Sequence, residues 1–67
     1  MKNKVTTIRK AQGMTQMELA TRAKVSRPYI SKIESGKQQV ISSIVMEKIA
    51  NALKKNIGDI FFTNNVV

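Results

Sequence analysis

Apolar residues recur along the chain with helical spacing, and residues typical of helix ends lie between the apolar groups. Val5 and Ile8 lie about one turn apart in a segment that stops at Gly13, a residue suited to helix termini. Thr15 is a favourable N-cap, and Glu18, three residues later, completes a Thr-x-x-Glu capping box. The sequence therefore predicts two short helices at the start of the chain, separated by a turn.

Three further helices are predicted from the same kinds of signal. Ser26 caps a third helix, which has Pro28 in its first turn, where the missing N–H is tolerated, and ends at Gly36. Ser42 caps a fourth helix and Asn56 a short fifth one. The residues predicted to face the core are Leu19, Ala20, Ala23, Val25, Ile30, Ile33, Val45, Met46, Ile49, Ala50 and Leu53.

The length of 67 residues permits one domain, here taken as residues 1–67. Residues 62–67 lack helical spacing, and their β-branched ends predict a short extended tail or a turn. The predicted fold is all-α, with five helices and a marginal core that a partner subunit would help to stabilise.

Composition excludes several classes of function. The chain has no cysteine and no histidine, which removes disulfides, thiolate metal sites and the commonest general base at neutral pH. With four acidic residues and no glycine-rich phosphate loop, we expect no enzyme activity, no metal and no cofactor. No stretch approaches the roughly 20 apolar residues of a membrane span, and the basic start lacks the apolar run of a signal peptide, so we expect a cytoplasmic protein.

Charge is the stronger indication of function. Twelve Lys and Arg residues against four Asp and Glu residues give a net charge of +8. Residues 1–37 carry nine of those basic residues and two of the acidic ones. This imbalance favours a polyanionic partner, either nucleic acid or an anionic membrane surface, and places the contact in the first half of the chain.

The most informative segment runs from Gln16 to Glu34. Two short helices joined by a turn of three to four residues form a helix-turn-helix, whose second helix can enter the major groove of DNA. The motif needs a small side chain where its helices touch, and Ala20 occupies that position.

Six segments carry a family resemblance: Ile8-Arg9, Gly13 to Gln16, Glu18 to Ala20, Val25-Ser26, Ile30 to Lys37, and Ile49 to Leu53. In this order and at these spacings they resemble the lambda-repressor/Cro type of helix-turn-helix proteins, also called XRE-family regulators. The resemblance covers residues 5 to 61. The sequence departs from the family at Lys24, where a glycine is usual in the turn, and at Val40-Ile41, where a proline usually precedes the fourth helix.

The resemblance implies a base-reading surface on the third helix. Arginine can bond guanine bidentately, lysine can do so more loosely, and a proline can offer an apolar contact to a thymine methyl group. The alternative is an ordinary charged helix face. The implied base-reading residues are Ser26, Arg27, Pro28 and Lys32.

The resemblance also implies contacts to the DNA backbone, which position a protein without reading sequence. Gln16 would donate its amide to a phosphate at the start of the second helix, where N–H groups and the helix dipole favour anions; the alternative is a solvated polar residue. Tyr29 would either bond a phosphate or cover the neighbouring helix. The implied phosphate contacts are Thr15, Gln16, Tyr29, Ser35, Lys37, Gln38 and Ser42, with the N–H groups of residues 35–38 contributing.

Arg9 and Glu34 have a different implied role. In the family the matching residues form a largely buried ion pair that ties the first helix to the end of the third. Such a pair would fix the angle of the recognition helix.

Taken together, these features indicate a sequence-specific regulator of transcription, a repressor, that binds double-stranded DNA as a homodimer on a two-fold symmetric operator without a small-molecule effector. The expected dimer patch is Ile57, Ile60, Phe61 and Phe62, unless the first three complete the monomer core. The alternative function is an antitoxin or controller whose main partner is another protein, docking on Val40-Ile41 and the tail. Nonspecific RNA binding is disfavoured, because three aromatic residues offer few stacking platforms.

Overall fold

The computed structural model describes residues 2–61, and helices occupy most of them. The helices are α1 (Val5–Ala11), α2 (Gln16–Ala23), α3 (Arg27–Glu34), α4 (Ser43–Leu53) and α5 (Ile57–Ile60). This confirms the predicted all-α, five-helix fold. None of the helices in this part of the chain is long and apolar enough to cross a bilayer. The predicted tail at residues 62–67 lies outside the described residues.

The helix starts follow the predicted caps. The Thr15 hydroxyl accepts from the Glu18 N–H (3.0 Å), and the Glu18 carboxylate accepts from the Thr15 N–H (2.9 Å), which completes the capping box of α2. Ser26 and Ser42 each accept from the N–H three residues later, at 3.3 and 3.2 Å. At α5 the Asn56 N–H donates to the Asp59 carboxylate (3.1 Å). Each of these helix starts is therefore encoded within four residues of sequence.

The core forms where α2 packs against both α3 and α4. Ala20, which is 5% exposed, lies in this packing, as the motif requires. Burial of each large apolar side chain stabilises the fold by about 1.5–3 kcal/mol. The fully buried large side chains are Val5, Leu19, Ile30, Ile33, Ile49, Leu53 and Ile60.

Within the predicted dimer patch, the structure favours the core alternative for two residues. Ile60 and Phe61 are 0% and 6% exposed and belong to the monomer core, which leaves them little side-chain surface for a second copy. The physical reason is that the N-terminal segment covers the end of α5: the Lys4 N–H donates to the Ile60 carbonyl (2.8 Å), and Asn3 forms an isolated antiparallel bridge with Phe61. Ile57 is half-buried against the core, and Phe62 lies outside the described residues.

In the turn between α2 and α3, Lys24 stands at the position where the family usually has a glycine. Lys24 adopts a left-handed conformation with φ of 57° at the C-cap of α2, and its N–H donates to the Thr21 carbonyl (3.3 Å). The Val25 N–H closes the same helix end on the Ala20 carbonyl (3.0 Å). The turn therefore has the geometry that glycine usually provides, with a lysine in strained backbone.

We expect the substitution Lys24→Gly to raise the free energy of unfolding by about 0.5 kcal/mol. A left-handed conformation costs a residue with a Cβ atom about 1–2 kcal/mol, and the greater backbone entropy of unfolded glycine offsets part of that gain. Urea unfolding followed by circular dichroism measures the change. Arg22→Gly, an exposed position inside α2, is the control and should lower stability by about 1 kcal/mol; equal losses in both variants would contradict the prediction.

Candidate nucleic-acid interface

The N-cap and the exposed face of α3 present the predicted base-reading residues to solvent. Ser26, Arg27, Pro28 and Lys32 are all exposed, whereas Ile30 and Ile33 bury the opposite side of the helix against the core. Pro28 and Lys32 lie one turn apart on the exposed face. The structure thus brings these residues together on one surface, where a groove of DNA can approach them.

Arg27 lies at the edge of this face, toward α2. Arg27 and Glu34 are seven residues apart, about two helical turns, and share one side of α3. Gln16, the first residue of α2, is partly buried beside them. The start of α2 therefore lies along the side of the recognition helix.

The Gln16 amide joins these two residues, a pair of contacts that the sequence did not indicate. Its Nε2 donates to Glu34 Oε1 (2.9 Å), and its Oε1 accepts from Arg27 Nη1 (3.4 Å). The predicted phosphate donor is thus engaged by two side chains of α3. An amide has two N–H groups, and the bond to Glu34 uses one of them.

Glu34 forms the predicted pair with Arg9, and the pair is bidentate. Arg9 Nε and Nη2 donate to the two Glu34 carboxylate oxygens at 2.7 and 3.1 Å. The side chains are 10% and 7% exposed. Arg9 Nη1 also donates to the Met14 carbonyl (2.7 Å), which ties the turn after α1 to the same network.

Burial raises the pKa of the Glu34 carboxyl, but hydrogen bonds from Arg9, Gln16 and Thr6 outweigh it, so the pKa lies below its ordinary value. Hydrogen bonds from the Thr15 backbone and hydroxyl likewise lower the pKa of Glu18. Both carboxylates are therefore ionised at neutral pH. The Thr6 contact has no signal in the sequence, because Thr6 and Glu34 are far apart along the chain.

We expect stability to fall as the pH is lowered from 6 to 3. An unperturbed glutamate titrates near 4.5, and the folded-state pKa of Glu34 and Glu18 is lower. The stabilisation is thus fully present above about 4.5 and is lost as the pH falls through the folded-state values. Urea midpoints at several pH values measure this loss. Glu34→Gln should flatten the profile; an unchanged profile in Glu34→Gln would contradict the assignment.

The start of α2 offers fewer groups to a phosphate than the sequence indicated. Thr15 is exposed, but its N–H donates to the Glu18 carboxylate, which lies at the helix N-terminus as a built-in anion. The Thr15 hydroxyl accepts from the Glu18 N–H and also bonds the Glu18 carboxylate, so both polar groups of Thr15 are engaged within the protein. Among the side chains predicted to bind a phosphate at this end of α2, Gln16 keeps one amide N–H beyond the one it gives to Glu34.

The loop after α3 also differs from the prediction. The N–H groups of residues 35–38 all donate within the protein: Ser35 to the Ser31 carbonyl, Gly36 to that of Ile33, and both Lys37 and Gln38 to that of Lys32. These bonds close the C-terminus of α3, so the predicted use of the N–H groups for a phosphate is corrected. The side chains of Ser35, Lys37 and Ser42 are exposed, whereas that of Gln38 donates to the Val40 carbonyl (2.9 Å).

Tyr29 is half-buried and packs against the hydrophobic core. This position agrees with the alternative in which the ring covers neighbouring apolar side chains. A phosphate contact from its hydroxyl stays a prediction.

Comparison with known proteins identifies the family of this fold. A protein-family model described as helix-turn-helix matches residues 6–60, which is most of the chain. A search of curated proteins finds no match to the chain.

Proposed function

Because the chain belongs to the helix-turn-helix family of the lambda-repressor/Cro type, a family of DNA-binding regulators of transcription, we propose that it is a repressor. In this proposal the chain binds double-stranded DNA sequence-specifically, as a homodimer on a two-fold symmetric operator. The α3 surface carries the proposal, because it exposes Arg27 and Lys32 to a groove while the core anchors the other side of the helix.

The charge distribution around that surface supports the proposal. The first 37 residues contain two acidic residues, Glu18 and Glu34. Glu34 is paired with Arg9, and Glu18 is bound at the N-terminus of α2. The buried pairing of Glu34 therefore removes one of the two negative charges from this half of the surface, while Glu18 keeps its charge at the start of α2.

A homodimer follows from the small size of the reading surface. One recognition helix covers only a few base pairs, too few to discriminate among genomic sites. Two copies on half-sites one helical turn apart, about 34 Å, double the length of sequence read. Of the predicted dimer patch, Ile57 and Phe62 remain candidates for the interface, since Ile60 and Phe61 lie in the core.

Selection of bound oligonucleotides from a random double-stranded pool tests the proposal. We expect a two-fold symmetric consensus with half-sites about one turn apart, and sedimentation of the complex should show two protein chains per duplex. A pool that stays random after selection would contradict sequence-specific binding. A consensus without symmetry, with one chain bound, would contradict the homodimer.

Affinity for the selected site should fall steeply with salt, since log K drops by about 0.9 per neutralised phosphate for each log unit of salt. We expect Lys37→Gln to reduce this slope by about 0.9 for each bound copy. Lys48→Gln, which removes the same charge from an exposed position on α4, is the control. Equal slopes for Lys37→Gln and the unmodified protein would remove Lys37 from the phosphate contacts.

The alternative function, a controller whose main partner is another protein, loses one of its two docking residues. Ile41 is 6% exposed and belongs to the core, whereas Val40 is 79% exposed. The segment before α4 thus offers a protein partner one exposed apolar side chain rather than two. The DNA-binding function is the better supported of the two.

A further inference from the structure

We propose that Glu34 fixes the orientation of the Gln16 amide and, through it, holds Arg27 in the conformation that reads a base pair. Glu34 is then a specificity-determining residue, although it is a positioning residue that touches no DNA. This inference rests on the proposed function, because it requires Arg27 to contact a base.

Three side chains of the described surface form a continuous series of hydrogen bonds. Glu34 Oε1 accepts from Gln16 Nε2 (2.9 Å), and Gln16 Oε1 accepts from Arg27 Nη1 (3.4 Å). The series begins at a fixed group, because the Glu34 carboxylate also accepts two bonds from Arg9. It ends at an exposed one, Arg27, in the first turn of the recognition helix.

The groups at the two ends of this hydrogen-bond series, the Glu34 carboxylate and the Arg27 guanidinium, permit one orientation of the Gln16 amide. An ionised carboxylate accepts hydrogen bonds and donates none, whereas a guanidinium donates and accepts none. The amide nitrogen must therefore face Glu34, and the amide oxygen must face Arg27. The reversed amide would lose both bonds and would place its oxygen against the carboxylate of Glu34.

The consequence for DNA binding is a more ordered Arg27. A free arginine side chain loses much rotamer freedom when it is fixed against a base. The Gln16 oxygen restricts Arg27 before DNA arrives, through a long bond that still permits small adjustments. Because Glu34 takes one amide N–H, the second N–H of Gln16 can donate to a phosphate, which would couple backbone position to base reading.

The binding test compares Glu34→Gln, Gln16→Met and the double variant at a temperature where circular dichroism shows each one folded. The measured quantity is the ratio of affinities for the selected site and for that site with one base pair exchanged. The exchanged pair is the one whose preference Arg27→Ala relaxes. A glutamine at position 34 accepts or donates, so it no longer fixes the Gln16 amide.

We expect Glu34→Gln to reduce this ratio about five- to tenfold, with affinity for random-sequence DNA changed less than twofold. In the Gln16→Met background, adding Glu34→Gln should leave the ratio unchanged, because the path through the amide is already removed. If Glu34→Gln weakens both sites by the same factor, Glu34 is a structural brace alone and the inference is wrong while the proposed function stands. If the unmodified protein selects no consensus, both the inference about Glu34 and the proposed sequence-specific function are wrong.

A second measurement uses the unmodified protein without DNA and does not depend on how the variants fold. In a nuclear magnetic resonance pH titration, the side-chain N–H signals of Gln16 should follow the titration of Glu34. Gln12 is the matched control, because its Nε2 donates to the Leu53 carbonyl (2.8 Å), which does not titrate. Gln16 signals that behave like those of Gln12 would overturn the inference.

Discussion

Replacing Glu34 with alanine is expected to lower the free energy of unfolding by about 3–5 kcal/mol. The substitution leaves the Arg9 guanidinium, whose side chain is 10% exposed, without the carboxylate that accepts two of its hydrogen bonds. It also removes the acceptor of the Gln16 amide. A domain of this length has a total stability of only about 3–10 kcal/mol, so this loss removes a large share of it. Urea and thermal unfolding followed by circular dichroism measure the loss.

Glu47→Ala is the matched control for this prediction. Glu47 is exposed on α4, and its replacement by alanine removes the same charge and the same side-chain atoms as Glu34→Ala. We expect the free energy of unfolding to change by no more than about 0.5 kcal/mol. Equal melting temperatures for the two variants would show that the Arg9–Glu34 pair does not brace the fold.

The parts of the fold that the sequence predicts are those encoded over short distances. The hydroxyls of Thr15, Ser26 and Ser42 each accept from the N–H three residues later. Each of these helix starts is therefore determined by residues that are close together in the sequence. The motif resemblance likewise predicts the left-handed turn at Lys24, because the family usually places a glycine there. Such local signals are sufficient to place the recognition helix on the chain.

Contacts between distant residues were less predictable. The Gln16 amide bonds Glu34 across 18 positions, and the Asn3 amide donates to the Ile33 carbonyl (2.9 Å) across 30. Both depend on how α1, α2 and α3 pack, which no spacing within one helix encodes. The pairing of Arg9 with Glu34 could be anticipated only through the family resemblance.

The sequence is weakest on which side chains are buried and on which backbone N–H groups have partners. A helix of four residues, such as α5, is too short for apolar spacing to show which face is buried, so the sequence leaves Ile60 and Phe61 open between a dimer surface and the core, and their burial places them in the core. The N–H groups of residues 35–38 donate to carbonyls in the last turns of α3 and are not available to a phosphate. The last carbonyls of a helix lack partners within the helix, and the residues that follow supply them. Hydrogen bonds of this kind are decided by three-dimensional geometry.

Arg27→Ala is expected to relax base preference at one position of each half-site. A bidentate contact to guanine provides about 1–3 kcal/mol of discrimination, which is roughly a 5- to 150-fold ratio of affinities. Arg27 is exposed at the start of α3, so its removal should leave the melting temperature nearly unchanged. Selection from a random pool with the variant, followed by titration of sites that differ at one base pair, measures the lost discrimination.

Arg22→Ala provides the control for charge. Arg22 is exposed in the last turn of α2, and its loss removes one positive charge without touching the first turn of α3. We expect Arg22→Ala to weaken all sequences by a similar small factor and to select the unmodified consensus. If Arg27→Ala did the same, Arg27 would contact the DNA backbone rather than a base, and the direct reading of sequence would have to come from Lys32 and Ser26.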